Sequence, residues 1–197
     1  MTREVSFISN QRINKEQIIR TAQQLIFDNG VQALTFPRLA SELNIRSQSL
    51  YNYFRNASDL IGHLGTIFMQ DLYKLVMEGL IGLSGRAAFK RYAEVAHEYL
   101  ENQGRLVELI YYVHDFPIDS AFYQATAQVI DLLHKLVAST KLKHMGNDSY
   151  AQTLISAVLG FTLIEMMGFL PTDQKLRQHQ FTQLLDFQLS EIDESTN

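Results

Sequence analysis

LTFPRLASELNIRSQSLYNYFRNASDL, residues 34–60, is the stretch that decides the fold. Its apolar side chains recur at steps of three and four residues, which predicts two short helices with one buried face each. The apolar positions are Leu39, Ala40, Leu43, Leu50, Tyr53 and Phe54. Between the two groups Ile45 fills the turn, and Asn44 stands where the chain must reverse sharply. Asparagine tolerates the left-handed backbone conformation of such a turn better than most residues other than glycine.

This order of elements predicts a helix-turn-helix, whose second helix, expected at about residues 47–54, enters the major groove of DNA. The outward positions of that helix and its entry are Arg46, Ser47, Gln48, Ser49, Tyr51 and Asn52. On an α-helix Gln48 and Asn52 share one face, and each amide can pair with adenine through two hydrogen bonds. We expect Arg46 to reach a guanine or a phosphate, and Tyr51 to contact a thymine methyl group or a phosphate.

The stretch resembles the N-terminal domain of the TetR family of transcriptional repressors over about residues 13–62. The resemblance rests on Thr35, Leu39-Ala40, Leu43-Asn44-Ile45, Ser49-Leu50-Tyr51-Asn52-Tyr53-Phe54 and Asp59-Leu60. Three positions depart from the family pattern: Asn44 replaces a usual glycine, Arg46-Ser47-Gln48 replaces a frequent Ser-Lys-Gly, and Ala57 replaces a common lysine. The second departure leaves open whether Ser47 caps the recognition helix or whether the cap is lost.

The resemblance implies an all-α fold, with a three-helix helix-turn-helix domain at residues 1–60 and a helical ligand-binding and dimerisation domain at 61–197. It implies a homodimer that represses transcription by binding a pseudo-palindromic, double-stranded DNA operator. A small-molecule effector is implied as the releasing signal, with no cofactor. Activation instead of repression stays open.

Phosphate contacts are implied by the resemblance at Thr35 and Tyr53. Further phosphate contacts are expected at Lys15, Arg38 and Arg55, because cations on this domain can pair with the DNA backbone. Two alternatives remain: Tyr53 can simply pack against the first helix, and each cation can be an ordinary solvated surface charge.

Capping residues place the helix starts. Asn14 with Gln17 predicts a capping box for a helix at about 15–28, Thr35 caps the next helix, and Asn56 caps a long one over about 57–79. Further helices are predicted near 86–103, 105–114, 119–139, 148–169 and 176–191, separated by glycine and proline turns. Residues 1–12 are expected to form a flexible arm and residues 191–197 a frayed tail.

Charge and composition narrow the class of protein. Residues 1–60 hold seven basic and five acidic side chains, whereas residues 61–197 hold ten and sixteen, so a mildly basic head precedes an acidic body. The chain contains no cysteine, which excludes disulfides and thiolate metal sites. No apolar run reaches the roughly 18 residues of a membrane span. We therefore expect a cytoplasmic protein without a membrane partner.

The second half offers dimer and ligand candidates. The run ISAVLGFTLIEMMGFL at 155–170, with the last helix, resembles the paired dimerisation helices of the family, so residues 148–191 are expected to form the dimer contact; an ordinary buried helix pair is the alternative. Ligand contacts are expected among polar and aromatic residues of this half: Tyr92, His97, Tyr111, His114, Tyr123 and Glu165. Core packing is the alternative for the aromatics. Glu165 lies within the apolar run and therefore needs a buried partner or a ligand, and a hydrogen bond across the dimer interface is the alternative.

Two other function classes have weaker support in the residues. His114-Asp115 resembles the adjacent metal ligands of phosphohydrolases, but the sequence shows no matching further ligands, so no metal site and no catalytic residue is predicted. A helical interaction module without DNA reading is the second alternative. The polar outer face of the recognition helix argues against it, because protein-binding helices usually expose an apolar anchor.

Overall fold

The computed structural model describes residues 13–193, so the predicted flexible arm and the end of the predicted tail lie outside the described residues. The described part is all-α, as predicted, with one isolated β-bridge between Leu142 and Ile192. Its α-helices are α1 Lys15–Asn29, α2 Phe36–Glu42, α3 Ala57–Gly79, α4 Gly85–Asn102, α5 Ala121–Ala138, α6 Asn147–Met166 and α7 Gln174–Leu189. Three 3₁₀ helices cover Val31–Ala33, Ser47–Asn52 and Gly104–Asp115. Within residues 13–193 no helix is long and apolar enough to cross a membrane.

The predicted caps hold the first three α-helices. Asn14 and Gln17 form the capping box, in which the Gln17 backbone N–H donates to the Asn14 side chain at 2.8 Å. The Thr35 hydroxyl accepts the Arg38 N–H, and the Asn56 side chain accepts an N–H in the first turn of α3. These bonds satisfy donors that a helix N-terminus otherwise leaves unpaired, and they explain why the starts match the sequence prediction.

The recognition segment is a correction to the predicted α-helix at 47–54. It forms a 3₁₀ helix that ends at Asn52, with bonds between residues three apart, such as Ser49 N–H to the Arg46 carbonyl at 2.9 Å. Arg46 occupies the cap position and makes no side-chain capping bond, so the cap is lost and Ser47 does not supply it. In this pattern the Ser49 N–H already bonds to the Arg46 carbonyl, one residue earlier than the first bond of an α-helix would form.

Two further predictions for the second half need correction. The segment predicted as an α-helix at 105–114 is a 3₁₀ helix over Gly104–Asp115, whose buried side chains are Leu106, Val107 and Leu109. Helix α6 ends at Met166 and not at 169. Gly168 there adopts a φ of +74°, a left-handed conformation that terminates the helix.

A continuous set of buried side chains joins the head, residues 13–60, to the body, residues 61–193. The boundary predicted at residue 60 falls inside α3, which contributes to the core of both parts. Its closest packing in the body is against α5, where Gly65 lies so near the Phe122 ring that an added Cβ would be 2.4 Å from it. The α3 helix therefore belongs to the core of both the head and the body.

Candidate nucleic-acid interface and effector cavities

The turn of the head fixes how the recognition segment is presented. Asn44 has a φ of 52°, the left-handed conformation that the sequence predicted. The Ile45 N–H then donates to the Ala40 carbonyl at 2.9 Å and closes the turn. Leu50 and Phe54 are buried beneath the segment, so its other side faces outward. The recognition segment is thus a short helix whose polar side faces outward and whose apolar side is packed on the core of the head.

Four of the predicted base-contacting side chains are exposed, namely Arg46, Gln48, Tyr51 and Asn52, while Ser47 and Ser49 are half-buried. The 3₁₀ geometry changes how they are grouped, because residues three apart eclipse each other and residues four apart do not. Gln48 therefore lies in line with Tyr51, and Asn52 lies about a third of a turn away. The expectation that both amides share one face was tied to an α-helix and is wrong for this backbone.

The predicted phosphate contacts have different surroundings. Lys15, Arg38 and Arg55 are exposed, and the Lys15 ammonium lies 5.3 Å from the centre of the Phe54 ring. The Tyr53 hydroxyl donates to the Ile13 carbonyl at 2.6 Å, so its proton is used to hold the start of the head. This contact agrees with the alternative in which Tyr53 packs against the start of the first helix and does not bind a phosphate.

One side chain of the body binds the head directly. The Glu108 carboxylate accepts the Val31 N–H at 2.9 Å and the Arg105 Nε–H at 2.7 Å. Gly30 ends α1 with a φ of +83°, and a Cβ there would lie 2.4 Å from the Arg105 guanidinium. This connection could not be predicted from the sequence, since nothing local pairs residue 31 with residue 108.

An apolar cavity of about 120 Å³ lies in the body between α3, α4, α5 and α6. Predicted ligand residue Tyr92 lines it together with side chains such as Met69, Leu72 and Leu154. The Tyr92 hydroxyl donates to the Val129 carbonyl at 2.9 Å, and burial raises the pKa of this phenol. The cavity suits a small apolar molecule in contact with α3.

Predicted ligand residues His97 and Glu165 meet elsewhere, in a cleft of about 480 Å³ between α4, α6 and α7. The His97 Nε2 atom lies 3.4 Å from Glu165 Oε2, and Glu165 Oε1 accepts the Arg177 Nε–H at 2.7 Å. Burial is the main cause that lowers the pKa of His97, against the opposing effect of Glu165. Glu165 therefore has the buried partner that its place in an apolar run required. Arg177 was not predicted as this partner, because it lies on α7 and contacts Glu165 of α6 across the turn at Pro171.

The other three predicted ligand residues do not join either cavity. Tyr111, His114 and Tyr123 are exposed, and His114 pairs only with its neighbour Asp115 at 3.1 Å. Among residues 13–193 His114 belongs to no cluster of three possible metal ligands, so the described part lacks the set that a phosphohydrolase site would need at this position.

The last two helices expose apolar side chains on the face turned away from the core. On α6 these are Leu159, Leu163, Ile164 and Met166, on α7 they are Leu176 and Phe187, and Met167 and Phe169 follow α6. On α6, Leu159, Leu163 and Met166 recur at steps of four and three residues and so lie along one side of the helix, whereas Leu176 and Phe187 of α7 lie eleven residues, or about three turns, apart. Clustered apolar exposure of this kind is typical of a protein contact surface.

The comparisons with known proteins agree with this geometry. Residues 18–64 match the family model described as bacterial regulatory proteins, tetR family. A tetracycline repressor protein of class C from Escherichia coli is 38% identical over 53 residues, which cover 27% of this chain and 24% of that protein. The chain thus spans about a quarter of the length of this relative.

Solved structures share the fold at low sequence identity. A Rhodococcus sp. RHA1 protein of unknown function superposes with a TM-score of 0.79, at 16% identity, over 94% of this chain and 99% of that one. The TetR family transcriptional regulator PfmR from Thermus thermophilus gives 0.72, at 12% identity, over 93% and 99%. Mycobacterium smegmatis BioQ gives 0.65, at 20% identity, over 90% and 97%.

Proposed function

We propose that this chain is a ligand-responsive repressor that binds a pseudo-palindromic operator as a homodimer in the cytoplasm, because its residues 18–64 match the model of the bacterial regulatory proteins of the tetR family. Proteins of this family are DNA-binding regulators of transcription and not enzymes. The observation that carries the proposal is the recognition segment, which exposes Arg46, Gln48, Tyr51 and Asn52 on an apolar base.

The exposed side chains divide into base-reading and phosphate-binding roles. Gln48 and Asn52 offer amides for adenine, Arg46 offers a guanidinium for guanine or phosphate, and Lys15 offers a charge for the backbone. Base contacts discriminate between sequences, whereas phosphate contacts add affinity on any DNA. Gln48→Ala should therefore weaken operator binding more than binding to scrambled DNA, while Lys15→Ala should weaken both alike.

The test is a fluorescence-anisotropy titration of the full chain against DNA from upstream of its own gene, with scrambled DNA as control, at two salt concentrations. We expect tight binding that prefers the upstream DNA and weakens steeply with salt, because phosphate contacts release counterions. Equal losses on both DNAs for Gln48→Ala would remove this residue from the base-reading set. Failure to bind either DNA at low salt would refute DNA reading and favour an interaction module.

The exposed apolar side chains of α6 and α7 support dimerisation through these helices. Their side chains would be costly to leave in water, and a second copy of the same face buries them in a four-helix contact. Leu163→Glu should lower the dimer fraction in sedimentation velocity. Ile81→Glu, which changes an exposed isoleucine outside these helices, should leave it unchanged. Equal behaviour of the two variants would place the contact elsewhere.

A dimer can read two half-sites only if its recognition segments lie about one helical turn apart, roughly 34–36 Å. A ligand in the apolar cavity touches Met69 and Leu72 of α3, which continues into the head. Such a ligand lowers DNA affinity if it binds more tightly to a dimer with another head spacing. We expect an effector to release DNA while the protein stays dimeric; dissociation into monomers on effector binding would refute this mechanism.

A further inference from the structure

The cleft between α4, α6 and α7 contains a group of side chains that DNA reading does not use. Its walls carry four glutamates, Glu94, Glu98, Glu101 and Glu165, against the two arginines Arg91 and Arg177. His97 stands in its wall, stacked on the Phe181 ring with the ring centres 4.1 Å apart. The excess of carboxylates makes the cleft favourable for a cation.

The hydrogen bonds of Thr162 fix which nitrogen of His97 carries a proton. Thr162 is buried, and its hydroxyl donates to the Val158 carbonyl at 2.9 Å. The same oxygen lies 2.9 Å from His97 Nδ1 and can only accept there, since a hydroxyl has one proton. His97 Nδ1 is therefore the donor, and in the neutral ring Nε2 presents a lone pair.

The lone pair of His97 Nε2 faces a lone pair of the Glu165 carboxylate. Glu165 Oε2 lies 3.4 Å from His97 Nε2, is fully buried, and receives no hydrogen bond among the described residues. Two acceptors that face each other, one of them the buried Oε2 atom of Glu165, are unfavourable unless a positive charge lies between them. In a tetrahedral site with metal–ligand bonds of about 2.1 Å, ligand atoms lie about 3.4 Å apart, which is the distance seen here.

A third ligand comes from the next turn of α4. Glu101 follows His97 by four residues, so both lie on one face of the helix. Ligand atoms of His97, Glu101 and Glu165 all lie within 4.8 Å of one another. Glu101 is exposed, which leaves the outer side of the site open to water as a further ligand.

The surroundings resemble the outer shell of a metal site. Arg177 donates from Nη1 to the carbonyls of Pro171 and Thr172, at 3.0 and 2.8 Å, and from Nε to Glu165 Oε1. These bonds hold the guanidinium on the far oxygen and orient Oε2 toward His97. Thr162 orients the imidazole in the same manner. Partners that fix a carboxylate and a histidine tautomer are a regular feature of metal centres.

We propose that His97 Nε2, Glu165 Oε2 and the Glu101 carboxylate bind a divalent transition-metal ion, with Zn²⁺ as the best-fitting member of the class. One imidazole and two carboxylates, with the His97 and Glu165 ligand atoms at tetrahedral spacing, suit Zn²⁺ better than Mg²⁺ or Ca²⁺, which prefer oxygen ligands in larger shells. The ion links α4 to α6 within one chain. The proposal concerns metal binding alone and does not depend on DNA reading.

The test uses the full chain without an affinity tag, freed of metal with a chelator and titrated with Zn²⁺ in competition with a chromogenic chelator. We expect one ion per chain, and for Glu101→Gln and His97→Ala a loss of affinity at least as large as the roughly 10–100-fold cost of losing an outer-shell partner. Glu98→Gln is the matched control, because Glu98 is an exposed glutamate of the same helix and cleft outside the cluster. It should bind Zn²⁺ like the parent chain.

Glu101 is exposed, so Glu101→Gln remains informative even if His97→Ala fails to fold. Absence of saturable Zn²⁺ binding to the parent chain would overturn the proposal. An equal loss in Glu98→Gln and Glu101→Gln would also overturn it, because it would show a diffuse acidic surface. Unchanged affinity in a folded His97→Ala variant would do the same.

Discussion

Removal of the Glu108 carboxylate should loosen the attachment of the head to the body. Glu108 accepts the N–H of Val31, whose side chain is buried, and the described residues offer that donor no other acceptor. An unpaired buried donor costs about 1–3 kcal/mol. Because the Glu108 side chain is 26% exposed, water can replace part of the lost bond. We therefore expect a cost near the low end, about 1.4 kcal/mol, or about tenfold in the opening equilibrium at Val31.

Amide hydrogen exchange measures that equilibrium directly. In Glu108→Ala the Val31 amide should exchange about tenfold faster, while amides in the body core keep the protection set by global unfolding. Glu108→Gln is the matched control, because its amide oxygen can still accept the Val31 N–H, and it should show a smaller change. Unchanged exchange at Val31 in Glu108→Ala, or equal changes in both variants, would refute the assigned role of this bond.

Three further outcomes are expected in urea unfolding at fixed protein concentration. Gly65→Ala should lower the free energy of unfolding by about 1–2 kcal/mol, because the added methyl group would clash with the buried Phe122 ring, and this cost exceeds the gain in helix propensity. An increase in the free energy of unfolding would contradict the close contact between Gly65 and Phe122. Tyr150→Phe should leave stability unchanged or raise it by up to about 1 kcal/mol, because the buried Tyr150 hydroxyl has no partner among the described residues, and a clear loss would show one. A hydrogen bond from the backbone N–H of His144 is the main cause that lowers the pKa of Glu191 in the fold. The stabilisation from the ionised Glu191 is therefore present above the usual pKa of 4.5 and is lost as pH falls through the folded-state pKa. Glu191→Gln should make the free energy of unfolding depend less on pH in the acid range, and an unchanged pH dependence would contradict this role.

The parts of the fold that the sequence predicted well are those with local causes. Asn14, Thr35 and Asn56 each cap a helix within three residues, and Asn44 adopts the left-handed conformation at the turn. Such signals act over a few residues and need no knowledge of tertiary contacts. The recognition segment departed from prediction, because the lost cap at Arg46 leaves the choice between two helix types to a single turn.

The candidate effector cavities were harder to predict from the sequence, because they depend on contacts across the body. Counting aromatic residues does not tell which of them face inward, and Tyr111 and Tyr123 face solvent while Tyr92 lines a cavity. The sequence predicted that Glu165 needs a buried partner but did not identify it, since the Arg177 that donates to Glu165 lies on another helix. Glu101 carried a local signal that went unused, its four-residue spacing from His97.

The 23-residue α3 helix has a geometric consequence for the proposed reading of two half-sites. At 1.5 Å per residue it is about 34 Å long. A rotation of about 6° about its body end moves its head end by about 3.4 Å, which is the rise of one nucleotide along a DNA strand. An angular adjustment that a few side-chain contacts can absorb is thereby converted into a shift of one base pair, enough to put two linked recognition segments out of phase with the groove.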